Sequence, residues 1–151
     1  MATATAISRP SLSIEALLGG KSVLQVKQRT ALDWVSIIRR GLSSAAVDSL
    51  AKTLRVTQSE LAAALAIPER TLARRKKEGT LNSEESAKLV RLARVIGRAK
   101  ETFEDLDVAL DWLKSPNAAL SGATPLSLQD TDIGAESVLD ALGRIEHGVF
   151  A

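Results

Sequence analysis

The stretch Thr57-Gln58-Ser59-Glu60-Leu61-Ala62-Ala63-Ala64-Leu65-Ala66-Ile67-Pro68-Glu69-Arg70-Thr71-Leu72-Ala73-Arg74-Arg75-Lys76-Lys77-Glu78-Gly79 decides how this chain folds. Thr57 with Glu60 three residues later has the form of a capping box, which opens a very short helix over about 61–65. Ala66-Ile67-Pro68 interrupts that helix, and a second short one follows over about 69–77, ended by Gly79. Two short helices joined by a three-residue turn form a helix-turn-helix pattern. Small Ala62 lies where the helices cross, and Leu61, Leu65, Ile67 and Leu72 supply apolar contacts between them. Two positions depart from the usual pattern. Ala66 stands where the turn prefers glycine, and Arg75 stands late in the second helix where an apolar residue is usual.

The second helix carries Arg70, Thr71, Arg74, Arg75, Lys76 and Lys77, a cation at almost every outward position. A helix fits the major groove of DNA, and arginine bonds two acceptors on one guanine edge. Residues near the helix start approach bases first, which favours Glu69, Arg70, Thr71 and Arg74. Arg75, Lys76 and Lys77 are expected at phosphates. The amides that open the first helix, at Thr57, Gln58 and Ser59, offer a phosphate clamp. The competing reading is a pair of ordinary amphipathic helices with a solvated basic surface, and the sequence leaves the rotation of the second helix open.

Outward from this stretch, the pattern is helical throughout. Alanine (23 residues) and leucine (22) dominate, which favours helix over strand, and alternating strand patterns are absent. A short helix is expected over 13–18, stopped by Gly19-Gly20. Another over about 30–40 places Leu32, Val35 and Ile38 on one face, with Trp34 beside them. Ser43 or Ser44 is expected to cap a helix bearing Val47, Leu50, Ala51 and Leu54. Asn82 with Glu85 caps a helix over about 83–100. Beyond it, helices over 105–113 and 132–146 bury Leu106, Ala109, Leu110 and Leu113, and Ile133, Val138, Leu139, Leu142 and Ile145. A loop spans 117–122, and Thr124-Pro125 forms a cap followed by proline at the first helical position. The fold class is all-α, about eight helices, with a helix-turn-helix domain followed by a small helical domain. The expected division is 1–29 as a partly disordered N-terminal segment, 30–100 as the DNA-binding domain and 101–151 as a second domain.

Charge supports that division. The 151 residues carry a net +2, but 1–51 hold +3, 52–100 hold +7 and 101–151 hold −8. A basic middle suits a polyanion, and an acidic end suits a basic protein partner and repels DNA.

The segment 57–96, with Glu60-Leu61-Ala62, Arg70-Thr71-Leu72-Ala73-Arg74-Arg75, Ser83-Glu84-Glu85-Ser86 and Leu92-Ala93-Arg94-Val95-Ile96, resembles the Xre/MbcA/ParS antitoxins. The tail resembles that family's C-terminal toxin-binding domain. It does so through Ala109-Leu110-Asp111-Trp112-Leu113, Ser115-Pro116-Asn117, Leu120, Gly122, Thr124-Pro125-Leu126 and 143–151, read Gly-Arg-Ile-Glu-His-Gly-Val-Phe-Ala. The resemblance covers about residues 30–151. It implies a type II antitoxin that binds and neutralises a RES-domain toxin, which degrades NAD, and that binds operator DNA to repress its own operon. It also implies that Arg144, Glu146, His147, Val149 and Phe150 lie at the mouth of the toxin's active site. The residues themselves agree: Val149-Phe150-Ala151 is an apolar tip, the Ala151 carboxylate is a further acceptor, and aromatics and arginine are favoured interface anchors. Trp112 is a weaker candidate for the same surface, on a stripe that looks inward, as does Phe103.

Other chemistry is not indicated. His147 is the only histidine, and beside Glu146 it lacks a nucleophile motif or a companion metal ligand. Cysteine is absent, so no thiol nucleophile or zinc–thiolate site exists. No phosphate-cradling glycine loop, HExxH or calcium loop appears, and neither an enzyme activity nor a cofactor is expected. The N-terminus does not read as a signal peptide, and every apolar run is shorter than the ~18 residues a spanning helix needs. A cytoplasmic protein without membrane attachment is expected. A homodimer is expected too, because helix-turn-helix proteins read two half-sites by two-fold symmetry. The apolar faces within 13–54 are the candidate contact. The alternative function is a stand-alone dimeric transcription regulator whose C-terminal domain binds another protein.

Overall fold

The computed structural model describes residues 13–24 and 30–148. The readings of the first dozen residues and of Val149, Phe150 and Ala151 lie outside them. Among the described residues nine α-helices run in order: α1 (Ile14–Leu17), α2 (Lys21–Leu24), α3 (Ala31–Arg40), α4 (Ala45–Leu54), α5 (Gln58–Leu65), α6 (Glu69–Glu78), α7 (Ser83–Phe103), α8 (Leu106–Lys114) and α9 (Asp132–Glu146). Two 3₁₀ turns, Ala118–Leu120 and Pro125–Leu128, link α8 to α9. Among the described residues there is no strand, only an isolated bridge between Ser43 and Thr80.

Local chemistry starts most of the helices. Thr30, Thr57 and Asn82 each form a full capping box, with Asp33, Glu60 and Glu85 at the third helical position. Asp105 and Thr131 cap α8 and α9 by accepting from Val108 N and Gly134 N. Thr124 opens the second 3₁₀ turn with proline behind it. The helix α4 differs. Ser44 makes no side-chain cap; its amide instead donates to Gly79 O at 3.0 Å, while Ser43 Oγ accepts from Ala45 N. The start of α4 is therefore tied to the end of α6.

The organising element is α7. Its 21 residues span roughly 30 Å. It buries residues on nearly every side, among them Leu89, Leu92, Ala93, Val95, Ile96 and Ala99. α1, α3 and α4 pack on it, and so do α8 and α9. One apolar cluster runs from Leu17 to Leu142. The expected boundary at residue 100 falls inside α7, because Phe103 continues the helix and meets Trp112 with ring centroids 5.7 Å apart. Leu17, Leu18 and Leu24, inside the segment expected as partly disordered, are buried.

Two apolar faces are oriented otherwise than expected. On α3, Leu32 and Val35 are exposed at 74% and 37%, while Ile37 is buried and Trp34 and Ile38 are partly so. Both stripes have helical period, and the one carrying the large indole removes more apolar area from water. On α9, Ile133 is 81% exposed, because the inward stripe is Ala135, Val138, Ala141 and Leu142 and Ile133 lies on the other side. Two close approaches also constrain the chain. A β-carbon at Gly41 (φ +97°) would collide with the Leu81 carbonyl, and one at Gly134 with the Leu128 carbonyl.

Candidate nucleic-acid interface and C-terminal face

The turn between α5 and α6 forms as expected, at a conformational cost. Ala66 adopts the left-handed conformation (φ 53°, ψ 43°) that glycine favours, and its amide closes α5 on Ala62 and Ala63. Ile67 is then buried and Pro68 stands at the N-cap of α6. Leu72 is the single buried residue of α6. Arg70, Ala73, Arg74 and Lys77 are exposed at i, i+3, i+4 and i+7, so they share one face, opposite Leu72. Arg74 meets Glu78 only at 3.9 Å, and Arg70 and Lys77 have no ion pair among the described residues. Thr71 is half-buried beside that face.

The remaining cations of α6 are engaged. Lys76 Nζ lies 3.0 Å from Asp48 on α4 and donates to Gln58 Oε1 on α5 at 2.9 Å. Glu69 accepts from Ser59 Oγ at 3.2 Å. These bonds bring Gln58, Ser59, Glu69 and Lys76 together along the α5–α6 seam. Arg75, expected at phosphates, turns inward. Its Nε donates to Glu85 Oε1 at 2.8 Å and its Nη1 to Glu78 Oε1 at 2.9 Å. Glu78 and Glu85, in that order, hold the Arg75 proton more tightly than usual. At the start of α5, the Thr57 amide and then its hydroxyl hold Glu60 below the ordinary carboxylate range. The capping box therefore occupies Thr57 and leaves the amides of Gln58 and Ser59 facing outward from the helix start.

At the other end of α7, the candidate protein-facing residues sit on α8 and α9. Trp112 is half-buried against Phe103 and the core. Glu146 forms an ion pair with Arg98 of α7. Arg144 and His147 are exposed. Trp112 and Glu146 are thus both anchored to the last turns of α7, through Phe103 and Arg98. Two further links were not evident from the sequence. Arg91 of α7 bonds Asp132 and the Gln129 carbonyl, tying α7 to the start of α9. Arg55 pairs with Asp107 at 2.7 Å, and Lys114 Nζ reaches the Arg55 carbonyl. Long-range pairs of this kind leave no periodic signal. Only the opposite charges of the two regions hinted at them.

Among the described residues, no group of three His, Cys, Asp or Glu is placed to hold a metal, and no helix is long and apolar enough to cross a membrane.

Comparison with known proteins places both regions. Residues 33–94 match the antitoxin Xre-like helix-turn-helix domain, and residues 98–148 match the antitoxin Xre/MbcA/ParS C-terminal toxin-binding domain. The chain is 36% identical over 119 residues to an Antitoxin Xre of Yersinia enterocolitica, covering 78% of this chain and 80% of that protein. It is 33% identical over 118 residues to an Antitoxin Xre of Photorhabdus laumondii, covering 77% and 80%. An Antitoxin Xre of Pseudomonas putida is 34% identical over 83 residues, covering 54% and 52%.

Proposed function

Because this chain belongs to the Xre antitoxin family, we propose that it neutralises a RES-type, NAD-degrading toxin by direct binding and represses its own operon by binding operator DNA. It acts in the cytoplasm and binds DNA as a homodimer. The observation that carries the DNA half is the exposed face of α6, where Arg70, Arg74 and Lys77 stand free of close ion pairs, opposite the buried Leu72. Arg70 and Arg74, nearer the start of α6, read base edges, with Thr71 and Glu69 beside them. Lys77 and Lys76 meet phosphates, and the amides of Gln58 and Ser59 clamp one more. The acidic segment 101–151, at −8, stays off the operator and faces the toxin. There Arg144, Glu146, His147, Val149, Phe150 and Ala151 form the contact, with Trp112 bracing the surface from α8.

Co-expression with the product of the neighbouring gene tests this reading. Full-length chain is expected to restore growth and NAD levels and to co-purify with the toxin; a toxin that still kills and does not bind would refute it. A chain ending at Gly143 keeps every buried residue of α9 but loses the contact, so it is expected to lose protection completely while operator binding persists. A shortened chain that still protects cells would move the toxin contact elsewhere.

A further inference from the structure

Arg75 is unlike the other cations of α6. Its side chain is only 20% exposed, and two of its nitrogens are committed to two carboxylates. One of these, Glu85, is itself buried, and its Oε1 also accepts from the Asn82 amide at 2.9 Å. The same oxygen thus closes the cap of α7 and grips α6. Glu85 N completes the box by donating to Asn82 Oδ1 at 2.8 Å. Around this point the backbone is also tied. Leu81 N donates to Leu42 O, and Leu42 N donates to the buried Ser86 hydroxyl at 2.8 Å.

Leu72 is the one buried residue of α6, so polar links decide how the helix is rolled about its axis. Arg75 lies three positions beyond Leu72, on the same inward side, and adds a more buried link to those that Glu69 and Lys76 make with α5 and α4. Roll matters here because each turn of α6 about its axis exchanges Arg70 and Arg74 for their neighbours at the groove. Ion pairs taken partly out of water add little net stability, since desolvation offsets the attraction. What such a pair fixes well is geometry, particularly when arginine's planar fork spans two acceptors.

We propose that Arg75 is a positioning residue for DNA readout: its pair with Glu85 sets the rotation of α6, and Arg75 itself touches no phosphate. This rests on the DNA-binding reading given above. It also explains why an arginine stands where the pattern usually carries an apolar residue. The position faces inward, as that pattern requires, and its partner is a buried carboxylate instead of a hydrophobic wall.

The test measures the affinity of the full-length chain for a duplex of its own upstream region across a salt series. The variants are Glu85→Gln, Arg75→Lys and Arg75→Gln, with Glu84→Gln as control, since Glu84 is exposed and removes the same charge one residue away. Positioning predicts that Glu85→Gln weakens binding relative to the control, by about tenfold, on the scale of one lost base contact. Arg75→Lys weakens it comparably although the charge is kept. Arg75→Gln weakens it without changing the slope of log affinity against log salt. A phosphate contact predicts the reverse. Glu85→Gln would free Arg75 and tighten binding, Arg75→Lys would bind like the parent, and Arg75→Gln would reduce the slope by about 0.9 per contact. Any of these overturns the proposal. If Glu85→Gln fails to fold, as judged by thermal unfolding, the two Arg75 variants decide alone. A parent chain that binds no duplex at any salt overturns the DNA-binding reading itself, and this inference with it.

Discussion

α6 and α9 are both bonded to α7, α6 at Glu85 near its start and α9 at Arg91 and Arg98, but they are held in opposite ways. α9 buries Ala135, Val138, Ala141 and Leu142 along one face, and its ion pairs with Arg91 and Arg98 sit at its two ends. α6 buries Leu72 alone and is otherwise held by polar links: Glu69 to Ser59, Lys76 to Asp48 and Gln58, Arg75 to Glu85. A helix that presents cations on its free face has few positions left for an apolar stripe. Polar links then take over the work of orientation. The acidic helix keeps its apolar stripe, and between its two end pairs Glu136, Asp140 and Arg144 are exposed.

The sharpest way to break this comparison is to truncate one leucine in each helix. Leu72→Ala and Leu142→Ala each remove a side chain with no exposed surface and are expected to cost about 2–5 kcal/mol in thermal or denaturant unfolding. The consequences should differ. With its one apolar anchor gone, α6 loosens, its amides exchange with solvent quickly, and operator binding is lost. α9 retains Ala135, Val138 and Ala141 against the core and stays protected in Leu142→Ala. If hydrogen exchange finds α6 in Leu72→Ala as protected as α9 in Leu142→Ala, the polar links alone hold α6, and the contrast is wrong.

A middle-sized effect sharpens the functional side. Arg74→Ala should weaken operator binding by about 1–3 kcal/mol if Arg74 reads a base. Its one ion pair among the described residues, with Glu78 at 3.9 Å, is long and exposed, so folding stability should change little. Asp140→Ala, on the exposed side of α9, should leave operator affinity unchanged. Equal losses from the two substitutions would mean that the two faces do not divide the partners between them.

Much of this arrangement was legible in the sequence, for physical reasons that also mark where legibility ends. Capping boxes are local chemistry, so Thr57 with Glu60 and Asn82 with Glu85 announced α5 and α7 correctly. The apolar spacing also predicts α9 over 132–146, the span it has in the fold. The buried face of α3 is not legible, because Leu32, Val35 and Ile38 repeat with the same period as Trp34, Ile37 and Ile38, and only the rest of the fold chooses between them. The inward turn of Arg75 was not legible either. Its partner Glu85 lies ten residues away in another helix, and the capping role of Glu85 concealed the second one. The departure at Arg75 was visible as an oddity of pattern, and the fold supplied the explanation. The division of the chain at residue 100 followed the change in charge, whereas the core follows the apolar residues, which continue through α7 without a break.

The smallest expected effect concerns the turn that delivers α6. Ala66 is exposed, and its side chain contributes nothing to the core, yet it holds a left-handed backbone that costs an L-residue about 1–2 kcal/mol. Glycine at this position removes that strain but adds freedom to the unfolded chain, a loss of about 0.5–1 kcal/mol. Ala66→Gly should therefore stabilise by about 0.5 kcal/mol, a rise of roughly 1–2 °C in Tm for a chain of this size. Gly79, which ends α6 at φ +91° with open space where a β-carbon would go, provides the mirror experiment. Gly79→Ala should destabilise, because it introduces the strain that Ala66→Gly removes. If Ala66→Gly instead lowers Tm or weakens operator binding, the methyl group of Ala66 restrains the turn, and α6 depends on local stiffness at its start as well as on the links along its length.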